Sequence, residues 1–340
     1  MNTSEAARLP PHGWRALLGS RELSVVLVIV LLCVFLAATS ARDTFFTQRN
    51  ATNILRQAAL LGVFAIGETV VIICGGIDLS LGSLIAFSGM AMAMLGTRLA
   101  VPLVPGAAAV LAVVVALAVS GAIGGVHATL IHRLRLPPFV VTLGSLLILR
   151  SQAALMNDQL PVPIQDFPGI LYLAQGSLWE GSRFAVPIPV LLVGAVACTT
   201  AVLLTRFRVG RYVYSIGCNE TATRLSGVNV YRAKLFAYGV SGLLGGLAGI
   251  LWAANGGQGD PQSGVAYELD AVAASVLGGA SLMGGQGSVW GTVLGACLLH
   301  VIFSAINLTL TKPDLWRGTV VGGVLLFAVL VSALQQRRSA

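Results

Sequence analysis

The stretch GGIDLSLGS, residues 75–83, separates two strongly apolar runs, although it carries one aspartate, two serines and three glycines. Of the 340 residues in the chain, 56% are hydrophobic and only 10% are charged, whereas a soluble domain carries about 25% charged residues. A helix that crosses a membrane needs about 20 mostly apolar residues. The composition therefore predicts an all-α polytopic membrane protein, in which this stretch lies between two membrane spans.

Ten apolar segments are candidates for membrane spans, and two of them, at 269–283 and 289–308, are broken by glycines. The others lie at residues 23–39, 54–74, 79–96, 106–131, 139–156, 186–205, 235–253 and 315–331. With the N-terminus inside, the alternation of spans puts most of the 21 lysines and arginines on one side, as cytoplasmic loops require. We therefore expect about ten transmembrane helices and two cytoplasmic termini.

This topology divides the chain into a cytoplasmic leader at 1–22, a transmembrane region at 23–333 and a cytoplasmic tail at 334–340. Two loops are long: a periplasmic loop at 157–185 and a strongly basic cytoplasmic loop at 206–234. The first apolar run also has features of a signal peptide, but its length and its long polar leader favour an uncleaved span.

A second glycine-rich stretch, GGASLMGGQGS at residues 278–288, is similar to the first, and both are predicted on the cytoplasmic side. Backbone that is not helical at membrane depth must be buried or line a water-filled cavity. Broken segments in pairs point to a transport pathway; the alternative is two tight glycine turns with no further role. Besides the acidic residues, the candidates for the pathway or its gate are Ser80, Ser83, Gly278, Gly279, Gly284 and Gly285.

Acidic side chains in or beside the apolar runs are the other candidates for the pathway. Asp78 can cap the third span at its N-terminal end, face the pathway, or do both. Glu68 lies well inside the second span, where a carboxylate is costly and faces the protein interior or a cavity. Its alternative role is structural, as the ion-pair partner of Arg56 or Arg150. Glu268 and Asp270 are expected to stabilise the start of the eighth span.

Several classes of function lack their sequence signature. A phosphate-binding loop needs a lysine after a glycine, but the only two lysines, Lys234 and Lys312, are not preceded by glycine. We find no hydrolase, metalloprotease or kinase motif. The four histidines and five cysteines show no metal-ligand spacing, so we expect no metal. No basic stripe with interleaved aromatics points to nucleic acid.

Four segments, in this order, resemble the membrane permeases of ATP-binding-cassette importers for ribose and other monosaccharides. They are GGIDLSLGS (75–83), PPFVVTLGSLLILRS (137–151), IGCNETATRLSGVNV (216–230) with YGVSGLLGGLAGIL (238–251), and YELDAVAASVLGGASLMGGQGSVWGTVLGA (267–296). The resemblance implies a bacterial inner-membrane subunit that pairs with a second permease chain, identical or a sister. It also implies a periplasmic sugar-binding protein and a separate cytoplasmic ATPase, which binds the ATP, so the permease itself holds no cofactor.

The resemblance further implies that residues 219–227 form a short cytoplasmic helix that couples the permease to the ATPase. Glu220 and Arg224 stand at the spacing of a helical ion pair, and Gly227 is suited to end the helix. The alternative is a solvated basic loop that only sets topology. Cys218 and Thr221 depart from the small residues typical of this motif. The candidate coupling residues are Gly217, Asn219, Glu220, Arg224, Leu225, Ser226 and Gly227.

The principal hypothesis is therefore a permease subunit without its own energy source. The main alternative is a self-sufficient secondary transporter in which Glu68 or Asp78 carries the coupling proton. A membrane enzyme or scaffold is a third hypothesis. The sequence leaves open which sugar is carried and whether the second permease chain is identical.

Overall fold

The computed structural model describes residues 21–100, 104–182 and 185–339. Outside these ranges lie residues 1–20 of the predicted leader, residues 183 and 184 of the predicted periplasmic loop, and the last residue of the predicted tail. The regular structure of the described chain is helical, apart from four strands of two residues each. The prediction of a nearly all-α protein is confirmed.

Fourteen helices and four strands make up the described chain. The helices are α1 (Arg21–Ala37), α2 (Arg42–Phe45), α3 (Gln48–Ile73), α4 (Leu81–Leu99), α5 (Pro105–Arg133), α6 (Pro138–Leu155), α7 (Pro168–Gln175), α8 (Ile188–Arg206), α9 (Arg208–Cys218), α10 (Glu220–Leu225), α11 (Val230–Gly256), α12 (Tyr267–Leu277), α13 (Val289–Thr309) and α14 (Pro313–Ser339). The strands are β1 (Val162–Pro163), β2 (Ser177–Leu178), β3 (Val186–Pro187) and β4 (Gln258–Gly259). Two antiparallel pairs, β1 with β4 and β2 with β3, fasten the 157–185 loop to the ends of α8 and α11.

Seven helices, namely α3, α4, α5, α6, α8, α11 and α13, are long and apolar enough to cross a membrane by length and composition. The chain is thus a multi-pass membrane protein. Helix α1, with 17 residues, and helix α12, with 11, are shorter than the typical span of about 20. Each of the ten predicted spans overlaps one helix, but the count of ten spans and the orientation of the termini stay predictions.

The predicted eighth span at 269–283, which glycines were expected to break, is helical only up to Leu277. Helix α12 ends at Leu277, and the chain then runs without regular structure to Val289. Gly279, Gly284 and Gly285 in this connection have φ values of 93°, 86° and 72°, which lie in the left-handed region that favours glycine. The apolar run therefore contains a half-length helix followed by an irregular loop.

The glycine-rich helix α11 lies at the centre of the bundle and packs against α3, α4 and α5. A Cβ atom on Gly249 would meet the carbonyl oxygen of Ile85 and the hydroxyl of Ser88, both on α4. Helix α5 packs on α11 as closely, since a Cβ on Gly124 of α5 would meet the carbonyl of Tyr238 on α11. The segment YGVSGLLGGLAGIL is thus a close-packing surface, on which small residues let helix backbones approach in a membrane.

We expect Gly249→Ala to destabilise the protein by about 1–3 kcal/mol, because the added methyl group overlaps the α4 backbone. The measurement is the thermal unfolding midpoint of the purified protein in detergent. The matched control is Gly239→Ala on the same helix, where a Cβ meets no atom within 4 Å. Equal unfolding midpoints for the two variants would contradict the close-packing role of Gly249.

Candidate functional site

A chain of hydrogen bonds between buried carboxylates and hydroxyls ties the 75–83 stretch to two helices. Glu68 on α3 and Asp78 in the stretch are 0% and 1% exposed. The Glu68 carboxylate accepts from the Asp78 backbone N–H at 3.2 and 3.3 Å. Asp78 Oδ1 accepts from the backbone N–H and hydroxyl of Ser80, at 3.1 and 2.6 Å, and Asp78 Oδ2 accepts from Ser241 Oγ on α11 at 2.8 Å. This cluster connects α3, the 75–83 stretch and α11.

The position of Asp78 is close to the predicted cap, with one difference. Helix α4 has Ser80 as its N-cap residue, whose side chain makes no capping bond. Asp78, two residues earlier, instead accepts a hydrogen bond from the backbone N–H of Ser80. Ser83, in the first turn of α4, donates its hydroxyl to the Ser80 carbonyl at 2.7 Å. The aspartate therefore orders the approach to the helix and also binds a second helix, which the sequence pattern did not predict.

The suggested ion pair of Glu68 with Arg56 or Arg150 is wrong. Arg56 donates to the carbonyl of Gln175 at 2.7 Å. Arg150 donates to backbone carbonyls of the 260–264 loop, at Pro261 and Ser263. Both arginines hold backbone segments of connecting loops, because such carbonyls have no helical partner there. Asp270 lies in the first turn of α12 as predicted, and its carboxylate also pairs with Arg317 of α14 at 2.5 Å.

The two glycine-rich stretches and the end of α9 are in direct backbone contact. The N–H of Gly285 donates to the carbonyl of Ile73 at 2.9 Å. A Cβ on Gly217, in the last turn of α9, would meet that same carbonyl and the nitrogen of Gly285. A Cβ on Gly284 would lie 2.8 Å from the carbonyl of Gly217 and 3.0 Å from the Cα of Gly75. We call Ile73, Gly75, Gly217, Gly284 and Gly285 the glycine junction.

The first two glycines of the second stretch lie away from this junction. A Cβ on Gly278 would meet the carbonyl of Gly291, so Gly278 lets α12 pack closely on α13. Gly279 follows in a left-handed conformation that turns the chain out of α12. Of the four predicted glycines, the structure thus brings Gly284 and Gly285 to the junction and leaves Gly278 at a helix–helix contact and Gly279 at the turn after α12.

The predicted short helix is present as α10. Asn219 caps it by accepting the N–H of Ala222 at 2.9 Å. At its other end, Ser226 donates its hydroxyl to the Ala222 carbonyl, and Gly227 has φ 79° and donates its N–H to the carbonyl of Arg224. Both ends therefore form as the residue types predict.

Glu220 fixes α10 to the bundle through two ion pairs. Its Oε1 lies 2.6 Å from Arg224 Nη2, which is the predicted pair within the helix. Its Oε2 lies 2.8 Å from Lys234 Nζ in the second turn of α11. Partial burial favours the neutral acid, but the hydrogen bonds and charges of Lys234 and Arg224 outweigh it and lower the pKa of Glu220. Glu220 is therefore ionised at neutral pH.

Lys234 is a residue of this site that the sequence did not predict. Its positive charge indicated only that the 206–234 loop is cytoplasmic. Its side chain lines a cleft of about 590 Å³ beside α10, together with the buried Tyr238 one turn further along α11. The Tyr238 hydroxyl has no hydrogen-bond partner among the described residues. Other residues of this cleft are Gly75, Gly76, His132, Arg135, Glu220 and Arg224.

The surface around α10 carries two unusually exposed apolar side chains. Leu225, at the end of α10, is 85% exposed, and Met283, in the second glycine-rich stretch, is 77% exposed. No other large apolar side chain in the described part of the chain is as exposed. The stretch of Met283 contacts α9, since the Cys218 thiol lies 3.9 Å from the carbonyl of Gly285. Both residues lie outside the seven helices that are apolar enough to cross a membrane.

The comparisons with known proteins cover almost the whole chain. Residues 50–330 match the family model described as "Branched-chain amino acid transport system / permease component". The chain is 38% identical over 312 residues to the ribose import permease protein RbsC of Escherichia coli strain K12, covering 91% of this chain and 93% of that protein. No solved structure matches the chain.

Two other curated relatives extend the similarity. The fructose import permease protein FrcC of Rhizobium meliloti is 32% identical over 321 residues, covering 92% of this chain and 86% of that protein. The xylose transport system permease protein XylH of Escherichia coli strain K12 is 30% identical over 388 aligned positions, covering 97% of each chain. Because the family model spans most of the chain and these relatives match it almost from end to end, the chain belongs to the family of branched-chain amino acid transport system permease components.

Proposed function

We propose that the chain is the membrane-spanning permease subunit of an ATP-binding-cassette importer for a monosaccharide or a related sugar-like solute. The family description names branched-chain amino acids, whereas the curated relatives are named for ribose, fructose and xylose. The sugar assignment rests on these relatives, since the match to each of them covers more than nine-tenths of this chain.

The observation that carries the mechanism is the path of contacts from α10 to the 75–83 stretch. Glu220 of α10 binds Lys234 at the start of α11. Seven residues further along the same face of α11, Ser241 binds Asp78. A displacement of α10 by a docked ATPase would therefore move α11 and the polar stretch together.

A second route runs through the glycine junction. Gly217 at the end of α9 touches both Ile73 at the end of α3 and Gly285 of the second stretch. Because this contact is backbone against backbone, no flexible side chain can absorb a displacement of α9. In this proposal α9 and α10 form the coupling element, and the two glycine-rich stretches form the cytoplasmic gate.

The partners follow from this division of roles. A cytoplasmic ATPase docks on the surface around Leu225 and Met283 and binds the ATP, so the permease carries no cofactor of its own. A periplasmic binding protein delivers the solute from the other side of the bacterial inner membrane. A second permease chain, identical or a sister, completes the pathway; the outward apolar faces of α5, α6 and α8 are available to it and to lipid.

The alternative of a proton-coupled secondary transporter has less support. Both of its candidate carboxylates, Glu68 and Asp78, are buried and accept hydrogen bonds from neighbouring groups of the chain. Neither carboxylate faces solvent in the described structure. The ribose and fructose relatives are import permeases by name, and the match to each covers more than nine-tenths of this chain, which favours the importer.

The proposed function is tested by reconstitution in proteoliposomes. The chain is assembled with its cognate ATPase and binding protein, and uptake of labelled D-ribose, D-xylose and D-fructose is measured with and without ATP. We expect uptake that requires ATP, the ATPase and the binding protein. Uptake by the chain alone under a pH gradient would overturn the importer and support the secondary transporter.

Glu220→Arg and Gly227→Pro are expected to uncouple ATP hydrolysis from transport. The first puts a third cation beside Arg224 and Lys234, and the second removes the left-handed residue that ends α10. We expect membrane insertion to persist and sugar uptake per ATP to fall by about tenfold or more.

The control for charge reversal is Asp43→Arg, at an exposed residue of α2. It should leave the ratio of uptake to hydrolysis unchanged. The same ratio in Glu220→Arg and Gly227→Pro as in the unmodified complex would refute the coupling role of α10.

Asp78→Ala is expected to lower the free energy of unfolding by about 1–3 kcal/mol, because it leaves the groups of Ser80 and Ser241 buried without an acceptor. Asp78→Asn keeps one acceptor oxygen and should lose less. Unfolding midpoints in detergent give the comparison, with the exposed Asp166→Ala as the control. A midpoint for Asp78→Ala equal to that of Asp166→Ala would show that the cluster does not hold the stretch.

A further inference from the structure

A polar cavity lies at the end of the bundle opposite α10. It has a volume of about 300 Å³ and is formed by α3, α11, α12, α13 and α14. Its residues on α3 run from Asn50 near the start of that helix to Phe64, whereas Ile73 at the other end of α3 belongs to the glycine junction. In the predicted orientation the cavity is therefore on the periplasmic side. Its volume is at the lower limit of small-molecule sites, which span about 300–1,000 Å³.

Aromatic rings form one wall of this cavity. Trp252 of α11 and Tyr267 of α12 meet edge to face, with ring centroids 4.9 Å apart. Tyr267 is also stacked with Phe64 of α3 at 6.4 Å. Each ring is thus held by a neighbour, so the wall presents fixed aromatic surface without an ordering cost on binding.

Side-chain amides also line the cavity. Asn53 and Gln57 stand one turn apart on α3, and Asn307 lies on α13. None of these three amides makes a side-chain hydrogen bond with another described residue. The neighbouring Asn50, by contrast, is held by Phe45 and Ser304 at 2.9 and 3.1 Å. Asn53 and Asn307 are exposed and Gln57 is half-buried, so all three amides are open to solvent and can both donate to and accept from a ligand in the cavity.

One ion pair completes the lining. Arg317 of α14 binds Asp270 of α12 at 2.5 Å and lies 4.3 Å from the ring centroid of Phe303. The cavity thus contains one carboxylate and one guanidinium, and each is neutralised by the other. A phosphorylated or carboxylate ligand would need an unpaired cation, and a zwitterionic amino acid would have to break this pair.

We propose that this cavity is a contact site for a neutral, polyhydroxylated ring of monosaccharide size on the outer half of the pathway. Hydroxyl groups both donate and accept, which matches the side-chain amides of Asn53, Gln57 and Asn307. The C–H face of a sugar ring is apolar and packs on aromatic surface such as that of Trp252 and Tyr267. The inference rests on the proposed import function and deepens it, because it names the substrate class from the lining.

The test uses the complete importer in proteoliposomes, with D-ribose, D-xylose and D-fructose as probes. The sugar that the unmodified complex imports fastest is compared with single-deoxy analogues of it. Gln57→Ala and Asn307→Ala are each expected to slow import of the parent sugar by about three- to tenfold. Import of the analogue that lacks the contacted hydroxyl should slow less, because that hydrogen bond is already missing. Trp252→Phe should keep more activity than Trp252→Leu, since it retains an aromatic face.

The matched control is Gln262→Ala, an exposed amide in the loop on the same side of the bundle. It should import like the unmodified complex, and unfolding midpoints of all variants separate lost contact from lost folding. Import rates and analogue discrimination in Gln57→Ala and Asn307→Ala equal to those of the unmodified complex would overturn the inference and leave the proposed function intact. ATP-driven uptake of leucine instead of the three sugars would overturn both.

Discussion

The carboxylate of Asp78 is the group on which the inner half of the structure depends. A carboxylate removed from water is tolerated only when other groups donate hydrogen bonds to it. Here Ser80 and Ser241 donate to its two oxygens, while its own backbone N–H is held by Glu68. The requirement to satisfy one buried charge therefore brings an irregular stretch, α3 and α11 into a single arrangement.

The same constraint explains why the two glycine-rich stretches meet. Backbone groups that leave a helix inside a membrane need partners from the protein itself. The Gly285 N–H finds the carbonyl of Ile73, which has no helical partner at the end of α3. This contact requires two backbones to approach closely, and glycine at positions 217 and 284 leaves the room. The junction is therefore a consequence of hydrogen-bond satisfaction as much as of packing.

The two ends of the bundle differ in chemistry, and the difference suits a directional importer. Around α10 the surface combines ion pairs with exposed Leu225 and Met283, which suits a protein partner. At the other end, rings and unpaired side-chain amides line a small cavity whose only charges neutralise each other, which suits a neutral solute. Helices α3 and α11 run from one end to the other, so a rigid shift of either would affect both sites.

The sequence by itself determined the helical membrane class and the position of the apolar segments, and its resemblance to the permeases predicted the short helix that Gly227 ends. These features depend on composition and on local hydrogen bonds, which a residue and its near neighbours specify. The predicted end of α12 was wrong, because an apolar run that contains glycines is compatible with either a helix or a loop. Only the tertiary structure decided that Lys234 binds Glu220, that Asp78 binds Ser241 and that the amides of α3 and α13 line one cavity with the rings of α11 and α12. Those partners are far apart in the chain, and what unites them is the packing of helices, for which a single sequence carries no local signal.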